Sequence, residues 1–249
     1  RLSHPNVVAV FDRGEVDGPV ELWAFLPPDL IAKIPNQLGS EHHLFVDGTA
    51  MVRDVWVDGE TGNGLSPGPA RDGKKAASEF HTVAIVGERR GGTHYFALDV
   101  TGATKLPTES GDHAPKFLWI YPQPDDPESL QFGETYTDFL PVPPPVGPVR
   151  IKADAAAQTY GLADATNAPE MFVPEDPSAP VKYHELWVTM LPGGFDPNML
   201  RGRGVHMVDA WWGKEVFDFS FPRDGVAGGF NDPRMFLQCP VAATPAMVM

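Results

Sequence analysis

Apolar and polar positions alternate with a period of two through much of this chain, in short runs closed by Gly, Pro or Asp. Residues 52–57 (Val-Arg-Asp-Val-Trp-Val) show the pattern most cleanly. Residues 81–86 (His-Thr-Val-Ala-Ile-Val) are β-branched and mostly apolar. After Gly91-Gly92 come residues 94–100 (His-Tyr-Phe-Ala-Leu-Asp-Val), then 116–121 (Lys-Phe-Leu-Trp-Ile-Tyr) between Pro115 and Pro122. Short β-branched and aromatic runs punctuated in this way predict strands.

The unit recurs. Val-Val-Ala-Val-Phe-Asp12 precedes a Gly-rich turn and Glu-Leu-Trp-Ala-Phe25. Gly-Val-His-Met-Val-Asp209 precedes Lys-Glu-Val-Phe-Asp-Phe219. Each copy is an apolar strand closed by an Asp, a tight turn, and a strand with alternating aromatics. The preceding strand pair also returns, with residues 147–151 echoing 50–54 and 185–190 echoing 82–86. Four antiparallel strands per repeat predict the blade of a β-propeller. A β-sandwich also alternates, but ordered recurrence favours the propeller. The fold class expected is therefore all-β, an incomplete β-propeller of four-stranded antiparallel blades.

One propeller segment then spans residues 1–249: a half blade at 1–26, a short helix at 27–39, a blade at 43–123, a blade at 141–221 and the start of another at 234–249. Pro27-Pro28 stops a strand, and Asp29 is placed at the helix cap with Leu30, Ile31, Ile34 and Leu38 on one face. A polar loop interrupts the first blade at 59–75. Residues 153–182, rich in Ala, Asp and Pro without either periodicity, read as an insertion loop. With two full blades the chain reads as a fragment cut at both ends. It is expected to form an arc with unpaired edges and apolar outer faces.

Composition fits a turn-rich β protein, with 25 Gly and 27 Pro among 249 residues. The net charge of −14 argues against nucleic-acid binding, which needs a basic stripe, and against docking on anionic lipid. No apolar run is long enough to insert in a membrane. The single cysteine, Cys239, lies in an apolar run and reads as a buried thiol; no Cys/His cluster has zinc spacing.

Candidate chemistry is sparse, and no enzyme is expected. Asp54, Asp58, Glu60 and Asn63 form the best oxygen cluster for calcium, although a solvated acidic loop is the plainer reading. His81 and His94 could meet across a hairpin, with an ordinary polar role favoured over a ligand pair. Gly91-Gly92 and Gly193-Gly194 read as turns, not phosphate cradles. On a strand, at most one ring of Trp211-Trp212 would face outward. Trp23, Trp119 and Phe217 are expected at equivalent, largely buried positions in three blades. Asp12, Asp99 and Asp209 are expected to accept hydrogen bonds from the turns that follow them.

Several of these segments resemble the PilY family of type IV pilus assembly proteins. Residues 21–29 (Glu-Leu-Trp-Ala-Phe-Leu-Pro-Pro-Asp) resemble its WAF-PP segment, and 45–50 (Phe-Val-Asp-Gly-Thr-Ala) its FVDGSP step. Residues 82–87 with 91–101 are similar to its TVLVGG…YALDVT hairpin, 202–209 to a second copy, and 236–249 to the opening of its next blade. The order of the motifs is more specific than any one of them.

The resemblance implies the family's C-terminal propeller, of quinoprotein-dehydrogenase-like fold. It further implies a cell-surface role in pilus biogenesis, tip-associated adhesion, surface sensing and twitching motility. Implied partners are minor pilins or pilus-tip proteins, and host or surface ligands. Implied locations are the cell surface, pilus tip, outer membrane or periplasm of a Gram-negative bacterium. The family's Asp/Asn-rich calcium loop has no counterpart in residues 1–249, so calcium belongs to the full-length protein only, and no cofactor is expected here. Asp218-Phe219-Ser220 begins like a von Willebrand A metal motif but lacks its second Ser. The alternatives are a quinone-dependent dehydrogenase-like propeller enzyme, against which the lone cysteine rules out a vicinal disulfide, and a generic interaction propeller.

Overall fold

The computed structural model describes residues 7–8, 23–39, 43–58, 75–103, 114–125, 131–135, 143–152 and 183–220. Among these residues ten strands carry the architecture. A short ribbon pairs β1 (Val7–Val8) with β2 (Ala24–Phe25). The first sheet runs β3 (Met51–Trp56), β4 (Phe80–Gly87), β5 (Tyr95–Asp99) and β6 (Lys116–Tyr121) in that spatial order. The second repeats the scheme with β7 (Val146–Lys152), β8 (Tyr183–Pro192), β9 (Gly204–Asp209) and β10 (Glu215–Ser220). All pairings within the ribbon and sheets are antiparallel, so each sheet is an up-and-down meander.

The strand pattern explains why the sheets stack. Along β4, Val83 and Ile85 point one way and Val86 the other. Along β5, Tyr95 and Ala97 oppose Phe96 and Leu98, and every residue of the strand is buried. A sheet apolar on both faces must be covered on both. One face joins Val55, Trp119, Tyr121 and Phe132 to Leu191, Val208, Ala210 and Trp211 of the second sheet and its turn, forming the main core. The other face receives Phe25 of the ribbon and the adjoining Trp23, with the Phe25 ring 5.2 Å from Phe96 and stacked 5.7 Å from Phe117. The far side of the second sheet carries another apolar group of Leu186, Val188, Met207 and Val216, with Phe217 packed against it.

The two sheets stack in the same sense. β3 lies beside β7 and β8, while Tyr121 of β6 meets His206 of β9 and Glu215 of β10. The last strand of each sheet carries one bulge. Ala97 pairs with Trp119 and Leu98 with Phe117; Met207 pairs with Phe217 and Val208 with Glu215. Trp119 and Phe217 are therefore equivalent by register. Trp119 points from the first sheet toward the second, and Phe217 from the second toward its far side. Trp23 points from beside the ribbon toward the first sheet. Trp119 is buried, whereas Trp23 and Phe217 are only half-buried.

The helix differs from its expected form. It is a 3₁₀ helix, Pro28–Leu38, with Pro27 as its cap residue and Asp29 inside the first turn. The Leu30 N–H donates to the Pro27 carbonyl at 3.1 Å. Pro35 has no N–H for an α-type bond. At three residues per turn, Leu30, Ile31 and Leu38 fall on three different faces. Leu30 alone is buried, while Ile31, Ile34 and Leu38 are exposed.

Trp211 and Trp212 lie in the turn after β9, not on a strand. Trp211 is buried against the His81 ring at 4.3 Å, and Trp212 packs on the main core. The insertion at 153–182, most of the loop at 59–75, Asp12, Cys239 and the strand start at 234–249 lie outside the described residues. Among the described residues the ribbon and sheets form an open stack, and they show no closed ring.

Candidate functional site

The hairpin between β4 and β5 turns through residues 88–94 and is fastened at each end. The Glu88 N–H donates to the His94 carbonyl at 3.1 Å, and the His94 N–H to Glu88 Oε2 at 3.3 Å. Arg89 adopts φ 56°, the left-handed region, which costs a non-glycine residue about 1 kcal/mol. Its surroundings hold it there. The Arg89 N–H donates to Thr135 Oγ1, and Nη1 lies 3.1 Å from Asp47 Oδ2. The Arg90 N–H donates to Asp47 Oδ1 at 3.0 Å. Lys33 of the 3₁₀ helix donates to the Gly91 carbonyl at 3.0 Å. That last bond fixes the helix over the turn and brings Asp29 to it.

Three ionisable side chains converge there. His94 Nδ1 lies 3.4 Å from Asp29 Oδ2 and 3.8 Å from Glu88 Oε2. The Thr93 hydroxyl also lies 3.4 Å from Nδ1. Side-chain exposure is 12% for His94, 9% for Asp29 and zero for Glu88. Gly92 lies against the Glu88 carboxylate: a Cβ there would sit 1.8 Å from Oε2, so a side chain at this position would push the carboxylate aside. Three polar atoms of the group have no hydrogen-bond partner: Asp29 Oδ1, Glu88 Oε1 and His94 Nε2.

Burial pushes the Glu88 carboxyl up to about 7, against the pull of His94 and with the Asp29 charge adding to it. Burial alone would lower His94, but hydrogen bonds and charge from Asp29 and Glu88 outweigh it and raise the imidazole to about 9. Asp29 is held below the ordinary carboxylate range: burial opposes this, and His94, Glu88 and Lys33 together prevail. Near neutral pH the cluster is a charged Asp29–His94 pair with a Glu88 that readily keeps its proton. Its chemistry is that of a buried proton store or of a three-ligand cation site with one imidazole and two carboxylates.

A second polar group, Tyr121, His206 and Glu215, bridges the two sheets. The Tyr121 hydroxyl donates to Glu215 Oε2, which lies 3.1 Å from His206 Nδ1. Glu215 is lowered, since burial is outweighed by His206 and Tyr121. Its place between packed sheets makes it a bolt.

The sequence-predicted residues fall elsewhere. Asp54 is exposed on β3, and its Oδ1 accepts from the hydroxyl of its cross-strand neighbour Thr82 at 2.7 Å. Asp58 lies just past the end of β3, and Glu60 and Asn63 lie outside the described residues. Among the described residues the group with metal-ligand geometry is Asp29, Glu88 and His94. His81 and His94 do not meet: His81 pairs with Val55 at the start of β4, while His94 stands beyond its other end. Gly91-Gly92 lies in the connection between β4 and β5, where Gly91 ends a single 3₁₀ turn, and Gly193-Gly194 lies in the connection between β8 and β9. Asp99 and Asp209 each accept a backbone N–H from two residues ahead, Thr101 at 2.9 Å and Trp211 at 2.8 Å.

These sheets define an all-β protein of two stacked four-stranded meanders. No family model and no curated protein matches the chain. Among solved structures it is similar to the crystal structure of the Pseudomonas aeruginosa PilY1 C-terminal domain. The identity is 20% and the TM-score 0.40, over 87% of this chain and 29% of that one. The chain thus spans under a third of that structure's length.

Proposed function

We propose that this chain is a β-propeller segment of a non-enzymatic cell-surface component of the type IV pilus machinery, of the PilY kind. The observation that carries the proposal is the order of the motifs at 21–29, 45–50, 82–101, 202–209 and 236–249, which resembles that family along nearly the whole chain. The stacking adds support. The ribbon and two meanders stack in succession, with Trp23 packed on the first sheet and Trp119 reaching from the first sheet to the second, as neighbouring blades of a propeller stack. The role is in pilus biogenesis and tip-associated contact, with minor pilins as partners.

The test is genetic and biochemical. Deleting the full-length gene in its native host should abolish or sharply reduce surface pili and twitching, and the intact gene should restore both. A copy lacking residues 1–249 should not restore them. Unchanged piliation and twitching on deletion would overturn the proposal. Incubating the purified protein with a quinone cofactor and calcium tests the dehydrogenase alternative; an absorbance change with alcohol-dependent turnover would favour it.

A further inference from the structure

We propose that Asp29, Glu88 and His94 form a binding site for a divalent transition-metal ion of the zinc class. One donor atom from each of the three residues lies within 4.8 Å of the other two, and Nδ1 stands 3.4 Å from Asp29 Oδ2 and 3.8 Å from Glu88 Oε2. A tetrahedral ion with ligands at about 2.0–2.1 Å sets them roughly 3.3 Å apart, close to the two separations between Nδ1 and the carboxylate oxygens. The donor set chooses the ion. One imidazole with two carboxylates suits zinc and its first-row neighbours, whereas calcium takes six to eight oxygens.

The second observation is the state of the spare oxygens. Glu88 is fully buried, and its Oε1 has no hydrogen-bond partner; Asp29 Oδ1 is likewise buried and unpartnered. A buried carboxylate oxygen without a donor is costly. A cation between the two carboxylates removes that cost, because either group can turn both oxygens toward it. Two carboxylates also cancel a double positive charge. Binding at neutral pH releases the His94 Nδ1 proton and whatever proton Glu88 holds. Lys33 is already turned away onto the Gly91 carbonyl, and Arg89 is engaged by Asp47. The ion would tie the 3₁₀ helix to the β4–β5 hairpin, a structural role independent of the pilus reading.

The experiment uses the whole 249-residue chain, stripped with a chelator and titrated with zinc alone by calorimetry, with cobalt as a spectroscopic probe. One equivalent should bind with proton release, raise the melting temperature, and give cobalt the visible absorption of a low-symmetry four-coordinate site. Glu88→Gln and His94→Gln should each weaken binding about a hundredfold or more. Should either fail to fold, Asp29→Asn, at the more exposed helix, serves in its place. Absence of stoichiometric binding to the folded wild-type chain would overturn the proposal. So would binding that survives these substitutions, since it would place the ion on other histidines.

Discussion

The Trp119 indole donates its N–H to the carbonyl of Ala210, 3.0 Å away and across the gap between the two sheets. A large ring can be buried there because its polar atom is satisfied by the neighbouring layer. The same ring lies under Gly213, where a Cβ would come within 2.4 Å of Cγ. One side chain thus fixes both the spacing of the sheets and the shape of the β9–β10 turn.

Trp119→Ala should cost about 3–5 kcal/mol, since it removes a buried aromatic, leaves a cavity and orphans the Ala210 carbonyl. Phe217→Ala, at the equivalent but half-buried position, should cost clearly less. Urea unfolding of the two variants measures the difference. Equal losses would contradict the unequal burial of the two sites.

Gly213→Ala should be destabilising by more than about 1 kcal/mol. Gly213 has φ 67°, where an L-residue is strained, and its added methyl would strike Trp119. The double variant Gly213→Ala with Trp119→Ala should recover the steric part and keep the strain. Additive losses in that cycle would show that the clash is relieved by other means.

Asp99→Ala and Asp209→Ala should each lose about 1 kcal/mol or more, because each carboxylate satisfies N–H groups of a tight turn. The Asp209 variant should lose more, since its Oδ1 accepts from two backbone N–H groups, those of Trp211 and Trp212, whereas Asp99 Oδ1 accepts one, that of Thr101. Melting curves of the two variants decide the order.

The half-buried strands were legible in the sequence from their period of two, and the strands apolar on both faces from their recurrence and their Gly, Pro and Asp boundaries. The run from Tyr95 to Asp99 is buried throughout, yet its recurrence at Gly204–Asp209 identified it. The helix type was not legible: the spacing of Leu30, Ile31, Ile34 and Leu38 suits an α-helix, and the three-residue turn of the 3₁₀ form redistributes Ile31, Ile34 and Leu38. Nor was the cluster. Glu88 and His94 carry a local signal, two ionisable residues across a Gly91-Gly92 turn. Asp29, however, joins them only through the docking of a distant helix, and locally it read as a cap. Trp211-Trp212 were misplaced because aromatics favour strands, while Asp209 imposes a turn on them.

The metal-free chain should lose stability as pH rises between about 4.5 and 9. Glu88 stands at about 7 in the folded protein against 4.5 in an unfolded chain, so the folded state holds more protons across that window. Its contribution is fully present below 4.5 and declines as pH climbs through 7. His94, at about 9 against 6.5, acts in the same direction: its stabilising charge is present below 6.5 and is lost toward 9. Asp29, held low, contributes oppositely, and only as pH falls below its ordinary value of 3.8. At 1.36 kcal/mol per unit the Glu88 component amounts to roughly 3 kcal/mol. Denaturant midpoints measured from pH 4.5 to 9 with a chelator present should therefore fall steadily. Glu88→Gln, which cannot ionise, should flatten the curve below pH 7 and leave the fall above it. A wild-type midpoint that rises with pH over this range would mean that the two carboxylates and the imidazole do not share one buried site.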